Sequence, residues 1–170
     1  IETKFQLLRT HQGKWQKIPL SGRVEILKKF SELLEKNIEH LAAVLTSEMG
    51  KPLQQSRNEI KGAMKRIKWM TDHAAKYLDD ELMSTGENPE EKIVYEPLGV
   101  ICNISAWNYP YLVGVNVYVP ALIAGNAVMY KPSEYATLTG LEVERLLKEA
   151  GVQDHVFQVA VGGRKVGEIL

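Results

Sequence analysis

Residues 100–131 have the sequence VICNISAWNYPYLVGVNVYVPALIAGNAVMYK, and this stretch decides the fold. It begins with an apolar run rich in β-branched residues, Val100–Ile104, which predicts a buried strand. A second strand is predicted at Ala127–Lys131, after the helix-stop pair Gly125-Asn126. The apolar segment between them predicts a helix near residues 112–124. A strand, a helix and a second strand in this order indicate a parallel βαβ unit.

The alternation of strands and helices continues downstream. A helix is predicted at Thr137–Ala150, closed by Gly151, and a third strand at residues 156–161. The pair Gly162-Gly163 then opens another helix. We therefore predict an α/β fold in which residues 99–170 form part of a doubly wound, Rossmann-like parallel sheet.

The upstream region, residues 1–81, has the periodicity of amphipathic helices. Apolar residues recur three and four positions apart, which predicts one long helix from Ser21 to near Gly50 and a second from Ser56 towards Leu78. The opening residues already follow a helical pattern without a secretory leader, so we expect the sequence to enter a longer chain partway. This region is predicted to be the helical N-terminal part of the protein.

A short β-hairpin is predicted between the helical region and the sheet, in residues 82–98. Residues 84–89 carry turn-forming residues, and residues 92–95 form a short strand that Pro97 stops. This composition change marks the clearest internal boundary of the sequence.

The charge balance and the cysteine content exclude several function classes. Among 170 residues, 21 Lys and Arg balance 21 Asp and Glu without a block of like charge, so no nucleic-acid or anionic-membrane partner is predicted. The single cysteine, Cys102, excludes an internal disulfide and fits a cytoplasmic protein. Residues 111–130 are as long as a membrane span, but Pro120 and Gly125-Asn126 interrupt them, which favours a buried helix and a strand.

Polar clusters follow each of the three predicted strands. Trp107-Asn108 follows the first strand, the segment Lys131-Pro132-Ser133-Glu134 follows the second, and Gly162-Gly163 with Gly167 follows the third. In an open α/β sheet, ligands bind beyond the carboxyl ends of the strands. We therefore expect one site to gather all three clusters.

Each cluster has a chemical use and a structural alternative. Glycines ahead of a helix let the backbone approach a phosphate, although Gly-Gly is also common in ordinary loops. Lys131 donates and Glu134 accepts hydrogen bonds, which suits a ribose diol. The carboxylate would also repel a 2'-phosphate, which favours NAD over NADP. The same segment fits a plain loop in which Ser133 or Thr137 starts the next helix.

Three further side chains have two interpretations each. A buried amide without partners costs about 1 to 3 kcal/mol, so Asn108 is expected either to cap the following helix or to face a ligand. Cys102 has no base beside it in sequence, so we expect a small buried hydrophobe and not a nucleophile. Glu48 ends a helix, where the dipole disfavours an acid, and we expect it to be solvated. The four histidines lack metal-ligand spacing, so no metal site is predicted.

Several motifs resemble those of the aldehyde dehydrogenase superfamily in order and spacing. They are EMGKPL at residues 48–53, EPLGV at 96–100, WNYP at 107–110, PALIAGN at 120–126, KPSE at 131–134 and KEAGV at 148–152. The resemblance covers nearly the whole chain and extends to dehydrogenases of semialdehydes such as succinate semialdehyde. It implies the α/β fold of that family and the oxidation of an aldehyde to a carboxylic acid with NAD or NADP.

The resemblance also implies a role for each residue of the expected site. In the family a cysteine attacks the aldehyde to give a thiohemiacetal, hydride passes to the nicotinamide, and the residue matching Asn108 donates its side-chain N–H to the oxyanion. Two departures are visible: Ala106 replaces the usual proline before the tryptophan, and Val161 replaces the first glycine of the phosphate loop, which makes that loop less tight. The implied cofactor-binding residues are Ser105, Trp107, Lys131, Pro132, Ser133, Glu134, Gly163 and Gly167.

The family pattern extends beyond the sequence in hand. The catalytic cysteine and glutamate of the family match positions after Leu170, so we expect this chain alone to be inactive. The resemblance implies that residues 1–81 are the helical N-terminal part of the cofactor domain and that residues 99–170 are the first half of its NAD-binding, Rossmann-like part. Residues 82–98 match a segment that pairs subunits, which implies a homodimer or homotetramer of the full-length enzyme. The alternative is a truncated protein that binds a nucleotide or a subunit without catalysis.

Overall fold

The computed structural model describes residues 1–84 and 91–170. The helices are α1 (Glu2–Trp15), α2 (Leu20–Lys36), α3 (Ile38–Met49), α4 (Leu53–Leu78), α5 (Pro110–Ile123), α6 (Thr137–Ala150) and α7 (Arg164–Ile169). The strands are β1 (Glu81–Ser84), β2 (Glu91–Ile93), β3 (Val100–Ile104), β4 (Ala127–Lys131) and β5 (Phe157–Val159). A 3₁₀ turn, Glu134–Ala136, leads from β4 into α6.

The sheet confirms the predicted α/β fold. β3, β4 and β5 are parallel with β4 in the centre, so that Cys102 lies beside Met129 and Met129 lies beside Gln158. The bounds of β3, β4 and α6 are those predicted from sequence, and α5 connects β3 to β4 as the βαβ pattern requires. All five residues of β4 are buried.

β3 is less buried than predicted because it lies at the edge of the described sheet. The Asn103 side chain is buried and donates to the carbonyl of Gly114 in α5 at 3.3 Å. On the opposite face, Cys102 and Ile104 are exposed. The prediction of a buried hydrophobe at Cys102 was therefore wrong. Strand order decides this exposure, and the apolar composition of the strand does not reveal it.

The long helix predicted from Ser21 is two helices, α2 and α3, which meet at Asn37. The Asn37 side chain donates to the carbonyl of Leu33 at 2.8 Å, and its backbone (φ −102°, ψ 10°) leaves the helical region. An asparagine side chain competes with the backbone for hydrogen bonds, which explains the break. The second predicted helix is confirmed as α4, which begins slightly earlier than predicted, at Leu53.

β1 and β2 form the predicted antiparallel hairpin. Glu81 lies opposite Ile93, and Leu82 lies opposite Lys92. β2 ends at Ile93, earlier than the predicted strand at residues 92–95. The predicted turn at residues 84–89 lies, apart from its first residue, outside the described residues. The three residues of β2 are all exposed.

α5 lies in the core, and the first two helices hold its carboxyl end. The Trp15 indole N–H donates to the carbonyl of Leu122 at 3.0 Å, and Nε of Arg23 donates to that of Ile123 at 2.8 Å. Carbonyls in the last turn of a helix have no intrahelical partner. The Arg23 bond therefore satisfies the Ile123 carbonyl, while the Leu122 carbonyl accepts from the Gly125 N–H at 3.1 Å as well as from Trp15. No helix within residues 1–84 and 91–170 is long and apolar enough to span a membrane.

A close contact between α6 and the loop after β4 gives a test of the packing. A Cβ at Gly140 would lie 2.6 Å from Cγ of Pro132, whereas a Cβ at Gly13 in α1 would meet no atom within 4 Å. We expect Gly140→Ala to lower the free energy of unfolding by about 1 to 3 kcal/mol, because the proline ring is rigid. The control Gly13→Ala should raise it by about 0.5 to 1 kcal/mol, since alanine is the better helix former. Urea denaturation measures both, and equal effects would contradict the contact.

Candidate functional site

The carboxyl ends of the three parallel strands bring two of the predicted polar clusters, those after β4 and β5, into contact. The backbone N–H of Ser105 donates to the carbonyl of Lys131 at 2.9 Å, which ties the segment after β3 to the end of β4. A Cβ built at Gly163 would lie 3.8 Å from Oε1 of Glu134, and one built at Gly167 would lie 3.7 Å from Cε of Lys131. The segments after β4 and β5 are therefore in contact at one edge of the sheet.

Lys131 and Glu134 present a donor and an acceptor side by side. The Lys131 side chain is buried, and its ammonium donates to the carbonyl of Pro132 at 3.2 Å. It lies 3.8 Å from Oε2 of Glu134, whose side chain is half exposed. This separation is too long for a hydrogen bond, so both groups keep capacity for a ligand with hydroxyl groups.

Ser133 has the structural role that the sequence left open. Its hydroxyl accepts a hydrogen bond from the backbone N–H of Tyr135 at 3.3 Å and so caps the 3₁₀ turn. Pro132 is buried against Gly140 of α6. These two residues shape the loop, while Lys131 and Glu134 on either side of them carry the polar groups.

The Gly162-Gly163 loop leads from β5 into α7 with a backbone that requires glycine. Gly162 has φ 150°, and a Cβ there would lie 2.4 Å from Cγ2 of Val166. Gly163 occupies the position before the first residue of α7 and faces Glu134. Val161, which replaces a glycine of the family pattern, is exposed.

Ser105 and Trp107 differ in how they meet this edge of the sheet. The Ser105 hydroxyl is buried and has no hydrogen-bond partner within the part of the chain that the structure describes. Burial raises the pKa of Tyr130 to about 12, an effect that the Ser105 hydroxyl partly opposes. The Tyr130 ring packs against Tyr118 of α5 with 5.6 Å between ring centres, so Tyr130 lies on the α5 side of the sheet. Trp107 is 55% exposed. Ser105 thus meets Lys131 through its backbone, and Trp107 presents its ring to solvent.

Asn108 is exposed, which corrects the assumption that its amide is buried. The residue before α5 is Tyr109, and no side chain of that segment caps the helix. The capping interpretation of Asn108 is therefore wrong. Its backbone carbonyl accepts a hydrogen bond from Nζ of Lys51 at 2.7 Å, while its carboxamide has no partner among the described residues.

Glu59 of α4 caps α5 in place of a local residue. Its Oε1 accepts hydrogen bonds from the backbone N–H groups of Tyr111 (2.9 Å) and Leu112 (3.4 Å), and its Oε2 pairs with the Lys51 ammonium. The Lys51 ammonium also lies 4.1 Å from the centre of the Tyr109 ring. Sequence reasoning missed this cluster. The signal that could have found it is Glu59 itself, an acid that lies beside the apolar stripe of α4 and is buried in the fold.

Glu48 of α3 caps the start of α6, as Glu59 caps α5, so the prediction that its side chain is solvated was wrong. Its carboxylate accepts hydrogen bonds from the backbone N–H of Leu138 (2.6 Å) and from the N–H and hydroxyl of Thr139 (2.8 Å each). The acid that seemed misplaced at the end of its own helix stands at the start of another, where the dipole favours negative charge.

Cys102 lies away from this edge of the sheet, beside Phe5, Met129 and Ile169. Partial desolvation raises the pKa of its thiol. A raised pKa lowers the thiolate fraction at neutral pH, which is the opposite of an activated nucleophile. Within the described ranges, no group of three His, Cys, Asp or Glu side chains is placed to hold a metal ion.

The thiol chemistry of Cys102 gives a second test. We expect iodoacetamide to alkylate Cys102 more slowly at pH 7.5 than it alkylates an unstructured cysteine peptide, because less thiolate is present. The rate should keep rising through about pH 9, the region where an ordinary thiol levels off. In urea the difference from the peptide should vanish. A rate that reaches its plateau below pH 8 would show an activated thiol and contradict the assignment.

Comparison with known proteins places this geometry in a family. The sequence pattern described as "Aldehyde dehydrogenase family" matches residues 2–170. The chain belongs to the aldehyde dehydrogenase family. The resemblance drawn from the motifs is thereby confirmed, including its order along the chain.

Individual members of the family match the chain over nearly all of its length. The NADP/NAD-dependent aldehyde dehydrogenase PuuC of Escherichia coli K12 is 37% identical over 161 residues, which cover 94% of this chain and 32% of that protein. A probable NADP-dependent succinate-semialdehyde dehydrogenase of Synechocystis is 29% identical over 171 residues, covering 100% of this chain and 37% of that protein. The crystal structure of the aldehyde dehydrogenase KauB from Pseudomonas aeruginosa superposes with a TM-score of 0.92 at 31% identity, covering 98% of this chain and 34% of that one. The chain spans about a third of the length of these relatives.

Proposed function

We propose that the protein containing this chain oxidises an aldehyde to a carboxylic acid with NAD or NADP, and that residues 1–170 supply part of the cofactor site and the oxyanion donor. The observation that carries the proposal is the exposed Asn108 carboxamide, unpartnered within the described residues and fixed by its backbone at the carboxyl end of β3. In a family member, an amide in this position donates to the oxygen that becomes negative during attack on the aldehyde. One preorganised donor of this kind lowers the activation barrier by about 3 kcal/mol, which raises the rate roughly a hundredfold.

The nucleophile of this reaction is proposed to lie outside residues 1–170. Cys102 is the single cysteine of the sequence. It faces Phe5 and Ile169, and its thiol pKa is raised. The chain by itself is therefore expected to be inactive.

The residues at the ends of β4 and β5 fit a dinucleotide. The buried Lys131 ammonium and the half-exposed Glu134 carboxylate are a donor and an acceptor 3.8 Å apart, close enough for both to contact the two adjacent hydroxyls of one ribose. Gly163 leaves space beside Glu134 that a side chain would fill, since its Cβ would lie 3.8 Å from Oε1. The remaining proposed contacts are the backbone at Ser105, the exposed Trp107, the loop residues Pro132 and Ser133, and Gly167 near the pyrophosphate. When bound, the cofactor supplies the hydride acceptor.

NAD is proposed as the preferred cofactor because of Glu134. A carboxylate next to the ribose repels the extra phosphate of NADP and accepts hydrogen bonds from a free diol. The relatives include an enzyme named for both cofactors, so the family itself does not decide the choice. The substrate is proposed to be a short aliphatic aldehyde or a semialdehyde, as the name of one relative suggests.

Subunit pairing through residues 82–98 is part of the proposal, as a homodimer or homotetramer in the cytoplasm. The hairpin presents apolar side chains to solvent: Leu82 is 54% and Met83 60% exposed. Exposed apolar strands of this kind tend to pair with another chain. The same observation favours the rival function, a truncated protein that binds a nucleotide or a subunit without catalysis.

The coding sequence downstream of Leu170 separates the two functions. We expect it to encode a Glu-Leu-Gly-Gly segment followed by a Gly-x-Cys segment in the same frame, which are the family's remaining catalytic motifs. A stop codon directly after Leu170 would overturn the enzymatic proposal and favour the rival.

The oxyanion role of Asn108 is tested in the full-length enzyme. We expect Asn108→Ala to lower kcat by about a hundredfold, because one preorganised donor is lost, with the Kd for NAD changed less than about twofold. Absorbance of the reduced cofactor measures turnover, and equilibrium titration measures binding. Unchanged turnover would remove the oxyanion role.

The role of Glu134 in cofactor choice is tested by removing its charge. Glu134→Gln is expected to raise the ratio of kcat/KM for NADP to that for NAD by about tenfold, since the repulsion of the 2'-phosphate is lost. Glu168→Gln is the matched control, because Glu168 is an exposed acid of α7 that pairs with Arg164. An equal change in both variants would mean a general effect of net charge.

A further inference from the structure

Two side chains from α4 and the loop before it bind the backbone around Asn108. We propose that Lys51 and Glu59 are positioning residues that fix the Asn108 carboxamide for the oxyanion, an inference that rests on the proposed function. Neither residue lies near Asn108 in sequence: Lys51 is 57 positions away, and Glu59 is 52 positions from its partner Tyr111.

Lys51 holds the two residues that precede α5. Its ammonium donates to the carbonyl of Asn108 at 2.7 Å, pairs with Oε2 of Glu59, and lies 4.1 Å from the centre of the Tyr109 ring. An ammonium has three donors and no acceptor, so a carbonyl, a carboxylate and an aromatic face together satisfy it. The Lys51 side chain is 12% exposed, which limits competition from water.

Glu59 holds the two residues that follow. Its side chain is fully buried, and its Oε1 accepts from the backbone N–H groups of Tyr111 and Leu112. Pro110 between these contacts has a restricted φ angle and lacks an N–H, so it needs no further partner. The pair thus contacts the chain on both sides of Pro110, from residue 108 to residue 112.

These contacts fix the backbone at Asn108 and leave its side-chain carboxamide available for a ligand. On the upstream side, the Ser105 N–H is bound to the Lys131 carbonyl. The amide itself has no partner among residues 1–84 and 91–170, so its orientation depends on the backbone that carries it. A donor that is misplaced by about 1 Å loses on the order of a hundredfold in rate, so this backbone restraint matters for catalysis.

A purely structural role is the alternative, in which the pair does no more than stabilise the start of α5. Both roles predict a less stable protein when the pair is removed. They differ in one respect: positioning acts through Asn108, so its kinetic effect should disappear when Asn108 is already replaced.

The test is a double-mutant cycle in the full-length enzyme. We expect Lys51→Met to lower kcat by about ten- to a hundredfold with KM for NAD changed less than about twofold, because the donor is displaced and the cofactor contacts are not. In the Asn108→Ala background the same change should alter kcat less than about threefold. An equal effect in both backgrounds would overturn the inference. If Asn108→Ala alone leaves kcat unchanged, the proposed function fails first, which keeps the two failures distinguishable.

A second variant covers the case in which Lys51→Met does not fold because it leaves Glu59 buried without its cation. The double change Lys51→Met with Glu59→Gln removes both charges and keeps an oxygen that accepts from Tyr111. Its kcat should fall by about ten- to a hundredfold relative to the unmodified enzyme, and an unchanged kcat would overturn the inference. The control is Arg57→Met, which removes a cation of α4 that pairs with the exposed Glu39, and its kcat should match that of the unmodified enzyme.

A measurement on the full-length enzyme tests the restraint without any catalysis. In the Lys51→Met variant, the ¹⁵N order parameters of Asn108 and Tyr109 should fall from about 0.85 towards 0.6, while those of Arg57→Met stay unchanged. Unchanged order at both residues would overturn the positioning role whatever the kinetics give.

Discussion

The buried carboxylate of Glu59 at the start of α5 is the interaction on which the site depends. Tyr109 supplies no capping side chain, so the first N–H groups of α5 would be buried without partners if Glu59 were absent. A buried carboxylate costs several kcal/mol in lost hydration unless it is paired and hydrogen bonded. Here two backbone N–H groups and the Lys51 ammonium supply those partners. The stability of the helix and the placement of Asn108 therefore have one physical cause.

Glu48 extends the same principle to the next helix of the sheet. It caps α6 from 90 positions upstream, and the two acids come from α3 and α4, which are joined by residues 50–52. α5 and α6 follow β3 and β4, so the start of each helix stands at the edge of the sheet that carries Asn108 and the Lys131 segment. One helical hairpin thus holds the starts of both helices, beside Asn108, the proposed oxyanion donor, and beside the proposed ribose-binding residues.

Local signals predicted the elements, and long-range contacts explain what the sequence left out. The bounds of β4 and α6 follow from an apolar run and from Gly151, which ends α6 with φ 115°. The contact between the polar segments after β4 and β5 follows from the general rule for parallel sheets, which needs no knowledge of contacts. The exposure of Cys102 depends on which strand lies at the edge, and the capping acids depend on which helices pack together. Neither can be derived from the spacing of residues in one segment.

The environment of Lys131 links the packing to the chemistry. Its ammonium is buried, yet among the described residues it has one hydrogen-bond acceptor, the Pro132 carbonyl, with Glu134 at 3.8 Å. Buried donors are almost always paired in folded proteins, so two remaining N–H groups on a buried cation call for acceptors. In the proposed function, the hydroxyls of a ribose would supply them and would also donate to the Glu134 carboxylate. The buried lysine thus keeps donors that a diol would satisfy, and this unfilled capacity is what the proposed binding role requires of it.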